Sequence, residues 1–111
     1  MPYDIKETDW KVFRQVREVA LARFCERVLT EVGSLIAKPG ETSHERYLAV
    51  YKLIEKRDKE LAQAFNDMRR STALLQIGLM HNRGLLTDEE MTRFSPELRD
   101  WVKGHFKIVT E

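Results

Sequence analysis

The chain has 111 residues, about the size of one domain, and its 19 Lys and Arg residues nearly balance 18 Asp and Glu residues. This balance argues against a nucleic-acid-binding protein, and the 42% hydrophobic content argues against disorder. The five glycines and three prolines are too few for the turns of an all-β protein, and the single cysteine excludes an internal disulfide framework.

Membrane and secretion signals are also missing from the sequence. No apolar run approaches the ~20 residues of a membrane span, and no signal peptide opens the chain. We therefore expect an all-α, cytoplasmic protein without membrane partners, in which residues 1–111 form a single helical domain.

The first predicted helix covers about residues 9–37. Thr8 or Asp9 is expected to cap it, and Pro39 disfavours helical geometry in the residue before it. The 3–4 spacing of one apolar face runs through Phe13, Val16, Ala20, Phe24, Val28, Val32 and Leu35. A second apolar set extends this surface, so the helix needs contacts on more than one side: Leu21, Cys25, Leu29 and Ile36. Cys25 is predicted to act as a small hydrophobic residue of the core.

The second predicted helix is long, covering about residues 43–83. Thr42 and Glu45 have the spacing of a capping box, and Gly84 is placed to end the helix. A 3–4 seam resembling a coiled coil continues through Tyr47, Tyr51, Ile54, Asp58, Leu61, Phe65, Met68, Thr72, Leu75 and Leu79. At ~1.5 Å per residue such a helix would span about 60 Å, too far for one partner within the same chain to cover.

The remaining residues predict two short helices, at about 88–94 and 96–103. Thr87 and Glu90 form a second capping box, Ser95 caps the last helix, and Pro96 suits its first position. Alternating residues at the two ends have the pattern of strands, which are expected to pair or to dock aromatic rings on the helices: Tyr3, Ile5, Phe106 and Ile108.

The short loop at Pro39 and Gly40 predicts that the two long helices form an antiparallel hairpin. A two-helix hairpin cannot bury both of its apolar faces, and the short C-terminal helices begin near its open end. We expect a second copy to cover the hairpin, giving a homodimer or higher oligomer with a four-helix bundle. The alternative is a monomer in which the C-terminal helices fold back along the hairpin.

Asp58 is the one charged residue of the seam, and a charge at such a position often fixes alignment rather than adding stability. Counting back from the turn places Arg23 as its expected partner within the chain. The residues predicted to determine assembly and register are Asp58, Arg23, Tyr47, Tyr51 and Ile54.

No pattern indicates a catalytic, cofactor-binding or metal site. Glu41 and His44 form the single Glu-x-x-His pair, and no glycine-rich loop precedes a helix. The enzyme alternative is a small helical bundle with an inward-facing, arginine-lined pocket that holds an anion. Its candidate residues are Arg14, Arg17, Arg23, Arg57, Arg69 and Arg70.

The sequence thus favours an interaction or assembly role without catalysis. A second alternative is a nucleic-acid-associated regulator, but three carboxylates from Asp88 onwards would face the phosphates of a helix-turn-helix complex. A protein partner is expected on the exposed side of the C-terminal helices and the adjacent end of the second helix. The candidates on that surface are Arg69, Gln76, His81 and Trp101.

Overall fold

A computed structural model of the chain describes residues 5–106. The described residues form five α-helices: α1 (Glu7–Ile36), α2 (Ser43–Phe65), α3 (Arg70–Asn82), α4 (Asp88–Met91) and α5 (Pro96–His105). The predicted all-α class is confirmed, and residues 5–106 contain no strand. The predicted pairing of the termini depends on Tyr3 and Ile108, which lie outside the described residues. None of the five helices combines the length and apolar character needed to cross a membrane.

Helices α1 and α2 form the predicted antiparallel hairpin. Arg46 of α2 donates to the carbonyl oxygen of Ile36 at 2.9 Å, which closes the turn. Further along, Arg57 of α2 binds Glu31 of α1 through both Nε and Nη2, at 3.0 and 2.9 Å. These contacts join the two helices outside the hydrophobic core.

The predicted helix over residues 43–83 is wrong, because the chain breaks it between Phe65 and Arg70. Asp67 adopts a left-handed backbone with φ of 62°, a conformation that Asp tolerates better than most residues. The Thr72 hydroxyl then accepts the Arg69 main-chain N–H at 3.2 Å and donates to the Asp67 carbonyl at 3.0 Å. The chain therefore turns without glycine or proline, and the seam ends at Phe65.

The core lies at the open end of the hairpin, where α3, α4 and α5 fold against α1. The first five residues of the predicted α1 face are all buried, which confirms that part of the pattern. The facing side chains come from the end of α2, from α3 to α5 and from their connections: Ala64, Phe65, Ala73, Leu74, Ile77, Met80, Leu85, Leu86, Met91, Phe94, Leu98 and Val102. From residue 29 to residue 63 no side chain is buried.

Three of the four predicted helix starts are confirmed. Thr42 with Glu45, and Thr87 with Glu90, form reciprocal capping boxes at the starts of α2 and α4. Ser95 caps α5 by accepting the Leu98 N–H, as predicted. At the end of α3, Gly84 has φ of 71° and the following main-chain N–H bonds back to the Met80 carbonyl, the pattern of a Schellman cap.

The predicted cap of α1 is wrong. The helix begins at Glu7 and no side chain caps it. Asp9 is instead buried, and its two oxygens accept hydrogen bonds from the Ser95 main-chain N–H at 2.7 Å and from the Ser95 hydroxyl at 2.6 Å. The aspartate therefore fastens the start of α5 to α1.

Candidate interaction surface

The turn end of the hairpin carries exposed apolar side chains on both helices. On α1, Cys25, Leu29 and Ile36 are exposed. The half-buried Val32 lies on the same side of the helix, because the four residues recur at intervals of three and four. Leu29 exposes 61% of its surface and Ile36 exposes 54%. This half of α1 therefore presents an apolar stripe to solvent.

Helix α2 carries a matching stripe, formed by the predicted residues Tyr47, Tyr51, Ile54 and Asp58. All four are exposed, and Tyr47 exposes 65% of its surface. The 3–4 periodicity predicted from the sequence is present in α2 up to Phe65. Its first part, from Tyr47 to Asp58, is not covered by any other part of residues 5–106.

A groove of about 200 Å³ joins the two stripes. Its lining includes Cys25 and Leu29 from α1 and Ile54 and Asp58 from α2. The stripes therefore form one continuous surface, which we name the arm face. The arm face consists of Cys25, Leu29, Val32, Ile36, Tyr47, Tyr51, Ile54 and Asp58.

Two expectations for this region are wrong. Arg23 does not pair with Asp58, because it points toward α4 and binds Glu90 at 2.7 Å. Cys25 is exposed rather than buried, because it follows the inward-facing Phe24 by one residue and is rotated by about 100° from it. The assembly role predicted for Asp58 requires neither a pair with Arg23 nor a buried Cys25.

A second concave site lies between α1, α2 and the end of α3, with a volume of about 420 Å³. Three arginines and two glutamates converge there on an apolar floor. The lining residues are Phe24, Arg27, Val28, Glu31, Arg57, Glu60, Arg83 and Leu85, and we name this site the arginine cleft. Of the six arginines expected to form an anion pocket, Arg57 is the one that lines it.

The arginines of this cleft are held by groups of the chain itself. Arg57 binds Glu31 and Glu60, and these hydrogen bonds raise its pKa, while the same contact lowers the pKa of Glu31. Arg27 donates to the carbonyls of Arg83 and Gly84, and Arg83 donates to the carbonyl of Glu60 and the side chain of Gln63. Arg27 and Arg83 thus bind neutral acceptors, whereas Arg57 binds carboxylates.

The four residues predicted to form a protein-binding surface do not share one exposed patch. Gln76 is buried, with 3% of its surface exposed, and its side chain donates to the Asn66 carbonyl at the helix break. Trp101 is half-buried and stacks on His105, with ring centroids 4.0 Å apart. His81 is also half-buried, and Arg69 is exposed but paired with Asp67. For Gln76 the expected exposure is wrong.

The arginines at the start of α3, which could contact the phosphates of a nucleic acid, are compensated locally. Arg69 pairs with Asp67, which lowers the pKa of that carboxyl group. Arg70 binds Glu7 at 3.0 Å and lies over the ring of Trp10. This arrangement leaves little basic excess for phosphates at the start of α3.

Within residues 5–106, no three His, Cys, Asp or Glu side chains converge as metal ligands would. Comparison of the chain with models of known protein families, curated proteins and solved structures gave no match. The function is therefore argued from the geometry of the arm face and the arginine cleft.

The arm face contains residues that were not selected from the sequence as site residues. Leu29 and Ile36 were visible as an extension of the α1 apolar surface, but nothing in the sequence showed which end of the hairpin would stay uncovered. The observed break after Phe65 decides this, because it directs α3 to α5 to the open end.

Proposed function

We propose that the protein self-associates through the arm face, so that two hairpins form a four-helix bundle and the molecule has an assembly role without catalysis. The observation that carries this proposal is the absence of any buried residue between positions 29 and 63, in a region with two exposed apolar stripes. A protein partner of different sequence, bound elsewhere, and the cytoplasmic location stay predictions.

The size of the arm face supports a dimer. The arm spans residues 43–58 of α2, about 24 Å at 1.5 Å per residue, and is two helices of about 10 Å wide. This gives a footprint on the order of 500 Å² per partner, or roughly 1,000 Å² in total, which is the lower limit for a specific interface. Burying apolar area contributes ~25 cal/mol per Å², so covering this surface is favourable.

Light scattering combined with size-exclusion chromatography tests the proposal. We expect the mass of a dimer for the unmodified protein and of a monomer for Leu29→Lys, because the lysine places a charge in the interface. Leu75→Lys is the matched control, since Leu75 is similarly exposed but lies on α3 outside the arm face. A monomeric unmodified protein, or equal effects of both substitutions, contradicts self-association through this surface.

A second candidate function is binding of a small organic anion in the arginine cleft. The observation that favours it is that Arg27 and Arg83 have neutral acceptors while Phe24 and Leu85 supply an apolar floor. Benzoate is then expected to raise the melting temperature, whereas benzamide, its neutral analogue, is not. Arg27→Gln should remove the effect of benzoate, and equal responses to the two compounds count against the candidate.

A further inference from the structure

Asp58 is the one charged residue of the arm face, and residues 5–106 supply it with no partner. Arg23, the partner expected from the sequence, binds Glu90 instead. Arg57, which lines the groove together with Asp58, binds Glu31 and Glu60. Within residues 5–106 Asp58 makes no hydrogen bond or ion pair. If the arm face is covered, this carboxylate needs a donor from whatever covers it.

The arm face itself contains a suitable donor. Tyr47 of the α2 stripe is well exposed, and its phenol hydroxyl can donate to a carboxylate. The intervals between Tyr47, Tyr51, Ile54 and Asp58 are four, three and four residues, so the stripe is symmetric about a point between Tyr51 and Ile54. A two-fold axis through that point pairs the residues reciprocally.

We propose that a second copy of this chain packs antiparallel on the arm face, about a two-fold axis between Tyr51 and Ile54, so that Asp58 accepts a hydrogen bond from the partner's Tyr47. Tyr51 then packs on the partner's Ile54. This arrangement gives the alternating layers of an antiparallel coiled coil and places the α3–α5 cores at opposite ends of the bundle.

Helix α1 independently fits the same axis. Leu29 and Ile54 line one groove, and Glu31 binds Arg57, which fixes the levels of the two helices relative to each other. With the two helices aligned in this way, the midpoint between Leu29 and Ile36 lies within about one helical turn, measured along the hairpin, of the midpoint of the α2 stripe. The same axis therefore packs Leu29 against the partner's Ile36, so that two strongly exposed α1 side chains of the face cover each other.

Two alternative registers place no hydrogen-bond donor of the arm face opposite Asp58. An axis between Ile54 and Asp58 would place the carboxylate against the partner's Ile54 and bring both aspartates close to the axis. An axis parallel to the helices would pack α2 on the partner's α1 and set Asp58 beside the partner's Cys25, which lies at the same level of the groove. Both cost the desolvation of an uncompensated charge.

Gly33 agrees with the proposed axis. It lies in the last turn of α1, is exposed, and a Cβ built on it would contact nothing within 4 Å in the single chain. A glycine in a helix costs roughly 1 kcal/mol relative to alanine, and among residues 5–106 no close contact at Gly33 compensates this cost. Near the two-fold axis, the missing side chain lets the two α1 helices approach each other closely.

Disulfide cross-linking tests the register. This inference depends on the proposed self-association, so light scattering is measured on the same samples. In a Cys25→Ser background, Val32→Cys should form covalent dimers under oxidising conditions, because Val32 lies next to the axis. Native Cys25 should not, since two copies would be about 22 Å apart along the bundle and a disulfide requires Cα atoms within about 7 Å.

The outcomes separate the two proposals. A monomer by light scattering overturns both the register and the self-association. A dimer that cross-links through native Cys25, or fails to cross-link through Val32→Cys, overturns the register and leaves self-association standing.

The hydrogen bond itself is tested by Tyr47→Phe, which removes the donor and keeps the ring. We expect the dissociation constant of the dimer to rise about tenfold, as for loss of a hydrogen bond to a charged group. Tyr51→Phe is the matched control and should change the constant less than twofold. Equal dissociation constants for Tyr47→Phe and the unmodified protein overturn the contact with Asp58.

Discussion

Arg23 and Glu90 form a bidentate ion pair, in which Nη1 and Nη2 of Arg23 donate to the two carboxylate oxygens of Glu90 at 2.7 and 2.9 Å. Arg23 also donates to the Leu85 carbonyl at 2.8 Å, and Glu90 accepts the Thr87 main-chain N–H as part of the α4 capping box. One pair of side chains therefore fixes the α3–α4 connection and the start of α4 against α1.

Low pH should reduce the free energy of unfolding, because protonation of Glu90 breaks its ion pair with Arg23. Mainly the hydrogen bonds from Arg23 lower the pKa of Glu90 from 4.5 to about 2. Because the folded-state pKa is the lower one, the stabilisation is fully present above pH 4.5 and is lost as the pH falls toward about 2. We expect a loss on the order of 2 kcal/mol in the free energy of unfolding, measured by urea denaturation across this range.

Glu90→Gln should flatten that pH dependence, because the amide cannot ionise. Glu89→Gln is the matched control, since Glu89 is the exposed neighbour on the same helix and makes no ion pair within residues 5–106. Identical pH profiles for the unmodified protein and Glu90→Gln would show that the ion pair does not contribute.

Asp9→Ala should destabilise the fold strongly. The substitution leaves the Ser95 N–H and hydroxyl without their acceptor in a buried position, at a cost of about 2–3 kcal/mol. Asp100→Ala, at an exposed site of α5, should change the free energy of unfolding by less than about 0.5 kcal/mol. Similar losses for the two variants would contradict the role of Asp9 in holding α5.

The effect of Gly78→Ala on stability should change sign when Phe106 is also replaced. A Cβ on Gly78 would overlap the Phe106 ring, so the ring must move and the variant should lose about 1 kcal/mol or more in the free energy of unfolding. With Phe106 replaced by alanine, the same change should be neutral or stabilising, because alanine favours the helix over glycine by about 1 kcal/mol. Thermal unfolding of the unmodified protein, the two single variants and the double variant measures the coupling between Gly78 and Phe106.

Asp58→Leu should change how uniformly the protein assembles. Leucine extends the apolar stripe and removes the group proposed to select one register, so several alignments become comparable in energy. We expect analytical ultracentrifugation to show mixed or higher oligomers. A single dimer species with a raised melting temperature would mean that Asp58 is merely a tolerated charge.

Local sequence patterns predicted the helical class, the α1 core face and most helix ends, because capping oxygens, Pro96 and Gly84 act within a few residues of their positions. The break after Phe65 had no such signal. The 3–4 apolar spacing continues through Met68 and Thr72, and no glycine or proline interrupts it. Burial of Leu74 and Ile77 in the core accompanies this turn, which is a tertiary effect.

The same break explains which site residues were predicted. The stripe from Tyr47 to Asp58 precedes the break and kept its expected exposure. Gln76 follows the break, and α3 is turned so that Gln76 faces inward. The exposure of Leu29 could not be deduced locally, because it depends on where the C-terminal helices come to rest.

The separation of the core from the arm has a consequence for how substitutions act on this molecule. The side chains that hold the fold lie at the open end of the hairpin, and those proposed to recruit a second copy lie at the turn end. The two properties share almost no residues, so the chain can tolerate changes that abolish or redirect its pairing while its helices remain assembled. Variants from a mutational survey should therefore fall into two classes, those that unfold and those that fold but remain monomeric.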